Sequence, residues 1–109
     1  MWKCGVCNFI YEGEGAPDKC PKCGAPKEKF TAMAQEKADL VRKSRFTNEL
    51  HMELSGCLEN VIGIAESGME DNLDPACMQL FTRAKEQALL LQQMIKAEIE
   101  THISKGKWG

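Results

Sequence analysis

The 109-residue chain has no apolar run long enough to span a bilayer. Its opening, Met1-Trp2-Lys3-Cys4, has no apolar leader core. A secreted, disulfide-stapled product is therefore not expected, and the expected location is cytoplasmic. Neither sign of charge dominates: 14 Lys and Arg face 16 Asp and Glu, a net of -2. That balance gives no electrostatic case for nucleic acid or for an anionic membrane surface. Histidine is scarce, with only His51 and His102, and no Glu-x-x-His motif occurs. Proline nearly vanishes after residue 30: Pro17, Pro21 and Pro26 lie in front and Pro75 alone behind. A turn-rich front followed by a helical remainder is the organisation this implies.

Cysteine is the residue in surplus. Four of the six cysteines fall in the first 23 residues, as Cys4-x-x-Cys7 and Cys20-x-x-Cys23. Each pair can form a knuckle that turns two thiolates toward one cation, and two knuckles complete a tetrahedral sulfur cage suited to iron or zinc. A segment of about 30 residues cannot fold on apolar burial alone, so a metal would supply the missing stabilisation. Residues 1–30 are accordingly read as a metal-bound knuckle module and 31–109 as a second, helical part.

The stretch Trp2-Lys3-Cys4-Gly5-Val6-Cys7-Asn8-Phe9-Ile10-Tyr11-Glu12-Gly13 and the stretch Ala16-Pro17-Asp18-Lys19-Cys20-Pro21-Lys22-Cys23-Gly24-Ala25-Pro26-Lys27-Glu28-Lys29-Phe30 together resemble the rubredoxin-like domain of rubrerythrins. The resemblance covers residues 2–30 and implies a rubredoxin-like, zinc-ribbon-like fold. It also implies one iron held by Cys4, Cys7, Cys20 and Cys23 and cycling between ferric and ferrous states. Asn8 stands where that family usually has glycine. The position calls for a positive φ, which Asn tolerates best among the other residues. Backbone N–H groups at Val6 and Lys22 are expected to donate to cysteine sulfur, and Trp2, Tyr11 and Phe30 to form the module's small core. Lys3, Lys19, Lys22, Lys27 and Lys29 are either ordinary solvated charges or attractors for an acidic redox partner.

The second part carries a helical period. Thr31 is the expected N-cap, with 32–35 opening a first helix over about 31–67. Leu50, Leu54, Cys57, Val61 and Ile64 alternate at spacings of four and three, and Leu58, Ile62 and Ala65 widen that stripe. Gly68 is expected to end the helix, and Asp74-Pro75 to start a second one over about 75–104. There the stripe resumes at Cys77, Phe81, Ala84, Ala88, Leu91, Ile95 and His102. The resulting hairpin leaves apolar surface on more than one face, Leu89-Leu90-Leu91 and Met94 included, which points to a homodimer closing a four-helix bundle. An acidic tip (Glu66, Glu70, Asp71, Asp74) and a basic base (Lys37, Arg42, Lys43, Arg45) would suit an antiparallel pairing; the alternative reading is two solvated faces.

Cys57 and Cys77 read as small buried apolar residues, with a redox pair as the alternative. The methionines read as adaptable core. Gly56 and Gly63 share a face one heptad apart. His102 lies four residues after Glu98, so a second metal site using His51, His102 and Glu98 is conceivable. A hairpin tip near residue 71 would hold the two histidines on the order of 16 Å apart. No di-iron ligand set exists, so the oxidase or peroxidase activity of complete rubrerythrins does not carry over. The expected function is a small iron electron-transfer protein linked to oxygen or peroxide defence, with an unidentified redox partner. The alternative is a zinc-stabilised adaptor whose hairpin mediates oligomerisation.

Overall fold

A computed structural model describes all residues, 1–109. Three short strands are followed by two long helices: β1 (Trp2–Cys4), β2 (Ile10–Tyr11), β3 (Phe30–Ala32), α1 (Gln35–Asp71) and α2 (Pro75–Ser104). A 3₁₀ turn over Lys27–Lys29 precedes β3. The strands form an antiparallel sheet in the order β2-β1-β3. Trp2 pairs with Tyr11 on one side and with Ala32 on the other, so β1 is the central strand.

Two compact units divide the chain: Met1–Arg45 with Gly106–Gly109, and Phe46–Lys105. The spatial division falls inside α1, so each unit takes part of that helix. In the first unit, Ala38 and Val41 are buried. Arg45 donates from Nε to the Gly109 carbonyl oxygen at 2.8 Å and forms an ion pair with Glu12. The first turns of α1 therefore belong with the knuckle module.

Both ends of α1 correct the sequence expectation. Thr31 does not cap a helix; it pairs with Lys3 as part of β3, and the helix begins at Gln35. Strand pairing with β1 satisfies the backbone there before helix geometry can start. Nor does Gly68 end the helix, which runs to Asp71, with Asn72 taking the positive φ of 46°. Gly68 lies against Phe81: a Cβ at this position would overlap the aromatic ring. Its missing side chain serves close helix contact rather than termination.

The restart at Asp74-Pro75 is as expected. Asp74 accepts from the Cys77 backbone N–H at 2.8 Å, and Pro75 occupies the first helical position. In the second unit α1 and α2 form an antiparallel pair whose seam buries Leu58, Ile62, Ala88 and Ile95, with Ile99 packed against them. Gln92 donates to the Ser55 carbonyl at 3.1 Å and to Glu59 at 3.0 Å, and Lys85 pairs with Glu66 at 2.9 Å. Near the open end, buried His102 meets buried Asn48, Nδ1 to Oδ1, at 2.5 Å.

The stripe read as primary is not the one in the seam. Leu50, Leu54, Val61 and Ile64 are 39–66% exposed, whereas Leu58 and Ile62, read as its widening, are 8% and 7% exposed. Cys57 and Leu91 are likewise exposed rather than core. Periodicity reports how far apart apolar residues recur, not which of two adjacent stripes meets the neighbouring helix.

Candidate metal centre

Two copies of one backbone turn build the cage. In the first knuckle the Cys4 N–H donates to the Phe9 carbonyl at 2.8 Å and the Asn8 N–H to the Cys4 carbonyl at 3.0 Å. In the second, the Cys20 N–H donates to the Ala25 carbonyl at 2.8 Å and the Gly24 N–H to the Cys20 carbonyl at 2.9 Å. The residue after each second cysteine turns through positive φ, 64° at Asn8 and 73° at Gly24. Asn8 therefore does the work of glycine, as its tolerance of this region predicts.

The four sulfurs converge. All lie within 4.8 Å of one another, with Cys4 to Cys23 at 3.8 Å and Cys7 to Cys20 at 3.6 Å. A metal–sulfur bond of about 2.3 Å in a tetrahedron requires sulfur–sulfur edges of roughly 3.8 Å, so the set has the size of a single-metal site. No cysteine is in a disulfide, and Cys57 and Cys77 lie outside the cage.

Charge in the cage is managed by the backbone. Burial pushes the Cys4 thiol up, but N–H groups of Cys7 and Val6 aimed at its sulfur outweigh burial and leave it below the ordinary thiol value. At Cys20 the same opposition, with Cys23 and Lys22 as donors, ends at about 7. Cys23 accepts from the Ala25 N–H, yet burial and the sulfurs of Cys7, Cys20 and Cys4 push it up to about 12. Four thiols this close cannot all ionise alone, and a cation resolves the conflict. The donors at Val6 and Lys22 were legible in the sequence. Those at Cys7, Cys23 and Ala25 follow from recognising the two knuckles as repeats of one turn.

Cys4, Cys20 and Phe30 form the buried centre, packed by Trp2, Cys7, Phe9, Tyr11, Ala16 and Ala25. Trp2, Tyr11 and Phe30 were anticipated and Phe9 was not, although its carbonyl and ring both serve the first knuckle. Cys23 is exposed and Cys7 half-buried, with exposed Val6 beside Cys7. One edge of the cage therefore faces solvent while the other is covered by aromatic side chains.

The second metal site is not assembled in the same way. The His51 and His102 rings lie edge to face with centroids 5.8 Å apart, far closer than the expected 16 Å. The hairpin turns at residues 72–74 rather than near 71, and His102 is level with Asn48, so His51 is only about a turn away. His102 Nε2 meets Glu98 at 3.1 Å while Nδ1 faces Asn48, so both ring nitrogens are engaged by protein groups. The residues whose ligand atoms gather as a metal-binding cluster are Cys4, Cys7, Cys20 and Cys23. No helix is long and apolar enough to cross a membrane.

Comparison with known proteins bears on the same segment. The rubrerythrin, rubredoxin-like domain family matches residues 2–31. Reverse rubrerythrin-1 of Clostridium acetobutylicum is 57% identical over 35 residues, covering 32% of this chain and 19% of that protein. Rubrerythrin of Clostridium perfringens is 57% identical over 30 residues, or 28% of this chain and 15% of that protein. Rubrerythrin of Nitratidesulfovibrio vulgaris is 48% identical over 29 residues, or 27% and 15%. The matched part thus spans less than a fifth of the length of these curated relatives. No solved structure matches the chain. Residues 2–31, with their two knuckles and four converging sulfurs, are a rubrerythrin-type rubredoxin-like domain, and two long helices follow it.

Proposed function

We propose that this protein is a one-electron carrier with a single iron held by Cys4, Cys7, Cys20 and Cys23. The observation that carries this reading is the cage: four sulfurs at single-metal spacing, with backbone N–H groups directed at them. Iron in such a cage supplies a ferric/ferrous couple. The N–H groups of Val6, Cys7, Lys22, Cys23 and Ala25 stabilise negative charge on sulfur, which is greatest in the reduced state. Phe30, Trp2, Phe9 and Tyr11 exclude water from one side. The edge at Cys7, Cys23 and Val6 is where an electron would pass to and from a redox partner. Four sulfur ligands leave no position for a substrate, which favours transfer over catalysis. By likeness to rubrerythrins we place it in oxygen or peroxide defence, and a thiolate metal centre suits a reducing, cytoplasmic setting.

Protein isolated anaerobically from its native host should be coloured, contain iron, and bleach and recover through a one-electron cycle. Colourless, zinc-containing protein with no reducible chromophore would refute the proposal. The zinc-stabilised adaptor is the second reading, favoured by one observation: an apolar face of the helical pair that lies open to solvent.

A further inference from the structure

The exposed apolar side chains of the second unit are arranged, not scattered. On α1 the seam with α2 runs through Ser55, Leu58, Ile62 and Ala65, and the exposed stripe Leu54, Cys57, Val61 and Ile64 lies one residue ahead of it throughout. On α2 the seam runs through Gln92, Ile95 and Ile99, and exposed Leu91 and Met94 again lie one residue ahead. One residue back turns a helix by about 100°. Because α1 and α2 run in opposite directions, these turns carry both stripes to the same side of the hairpin. A ring of four helices asks each helix for two seams roughly 90° apart. The hairpin supplies one seam per helix and leaves the other open at the angle required.

Along α1 the pattern on this face is close to symmetric about Cys57. Leu50 and Ile64 lie seven residues to either side of Cys57, and Leu54 and Val61 lie three before and four after it. Lys43 and Asp71 lie fourteen residues to either side, on the same heptad position and with opposite charge. On α2, Leu91 and Met94 straddle Gln92 and Gln93. Gln92 bonds to Ser55 and Glu59, which straddle Cys57, so the centres of the two stripes are level. One two-fold axis across the hairpin therefore serves both helices.

We propose that this face binds a second copy of the chain antiparallel, closing a four-helix bundle. The two-fold axis passes by Cys57 and between Leu91 and Met94. Leu50 then packs on the partner's Ile64, Cys57 faces the partner's Cys57, and Lys43 of each copy meets the partner's Asp71. A tips-together arrangement would instead crowd Glu66, Glu70 and Asp71 of two copies at one end. A standard interface needs about 800 Å² per partner, and the face offers it the exposed side chains of Leu50, Leu54, Val61, Ile64, Leu91 and Met94. The proposal does not depend on which metal fills the cage.

Sedimentation and thiol cross-linking of the metal-loaded full chain test it. The protein should sediment at twice the chain mass, and a monomer at micromolar concentration overturns the proposal. A short bis-maleimide should yield covalent dimer in the wild type and in C77A but not in C57A. Dimer that persists in C57A overturns the placement of the axis. In a C57A/C77A background, a mixture of L50C and I64C chains should cross-link far more than L50C alone. Equal yields, or a better yield from L50C alone, overturn the antiparallel arrangement. Val61→Lys should dissociate the dimer, while Leu89→Lys, on the opposite side, should leave it intact; the reverse outcome refutes the choice of face.

Discussion

Three glycines interrupt α1, and the structure assigns them opposite consequences on substitution by alanine. A Cβ at Gly56 or Gly63 would find no atom within 4 Å, whereas one at Gly68 would overlap the Phe81 ring. In a helix interior, Gly→Ala gains about 0.5–1 kcal/mol, chiefly by restricting the unfolded chain. Gly56→Ala and Gly63→Ala should each gain about that amount, raising Tm by roughly 4–8 °C per kcal/mol for a chain of this size. At Gly68 the same gain meets an overpacking cost of about 1–3 kcal/mol, so Gly68→Ala should lower Tm. The cost resides in one ring, and a double-mutant cycle isolates it. In an F81L background, G68A should become neutral or stabilising, giving a coupling of about 1–3 kcal/mol. Helical circular dichroism followed through thermal unfolding, at one protein concentration, reads all of these. If G68A stabilises as much as G56A, or F81L leaves its cost unchanged, the assignment of Gly68 to a helix–helix contact is wrong.

Asn8→Gly should retain metal and visible spectrum, since either residue accepts the φ of 64°, while Asn8→Val should lose both; an unaffected valine variant would contradict the need for positive φ. Asn48→Ala leaves buried His102 Nδ1 without its partner and should cost about 1–3 kcal/mol, read by denaturant unfolding, and a silent variant would show that the pair contributes nothing. The Cys77 N–H and then its thiol hold the Asp74 carboxyl below the usual carboxylate range. Its stabilisation is therefore full above pH about 4 and fades as pH falls through the depressed value. Asp74→Ala should lower Tm at neutral pH and lose that effect on acidification, and an effect independent of pH would refute the linkage. Cys20→Ser should abolish metal binding and unfold residues 1–32 while the Leu58–Ile62–Ala88–Ile95 seam keeps α2 helical; loss of all helical signal would show that the seam cannot stand alone.

The metal centre was legible in the sequence because its information is local. Each knuckle is a turn of a few residues, its cysteines are neighbours in sequence, and the positive φ at Asn8 and Gly24 is a property of single residues. The Asp74-Pro75 restart was legible for the same reason: an N-cap bonds only three residues ahead. Non-local choices were not legible. Thr31 reads locally as an N-cap, and only pairing with Lys3 makes it strand. Gly68 reads locally as a terminator, and only Phe81 on the other helix reveals a contact. The two apolar stripes of α1 have the same period, so the sequence alone could not say which one α2 covers. The position of the turn settled that, bringing His51 and His102 together and leaving Leu50, Leu54, Cys57, Val61 and Ile64 in solvent. What this sequence determined by itself was therefore the cage and the presence of two helices. What only tertiary structure decided was which side of each helix is spent within the chain and which remains open, since that depends on the register between segments distant in sequence.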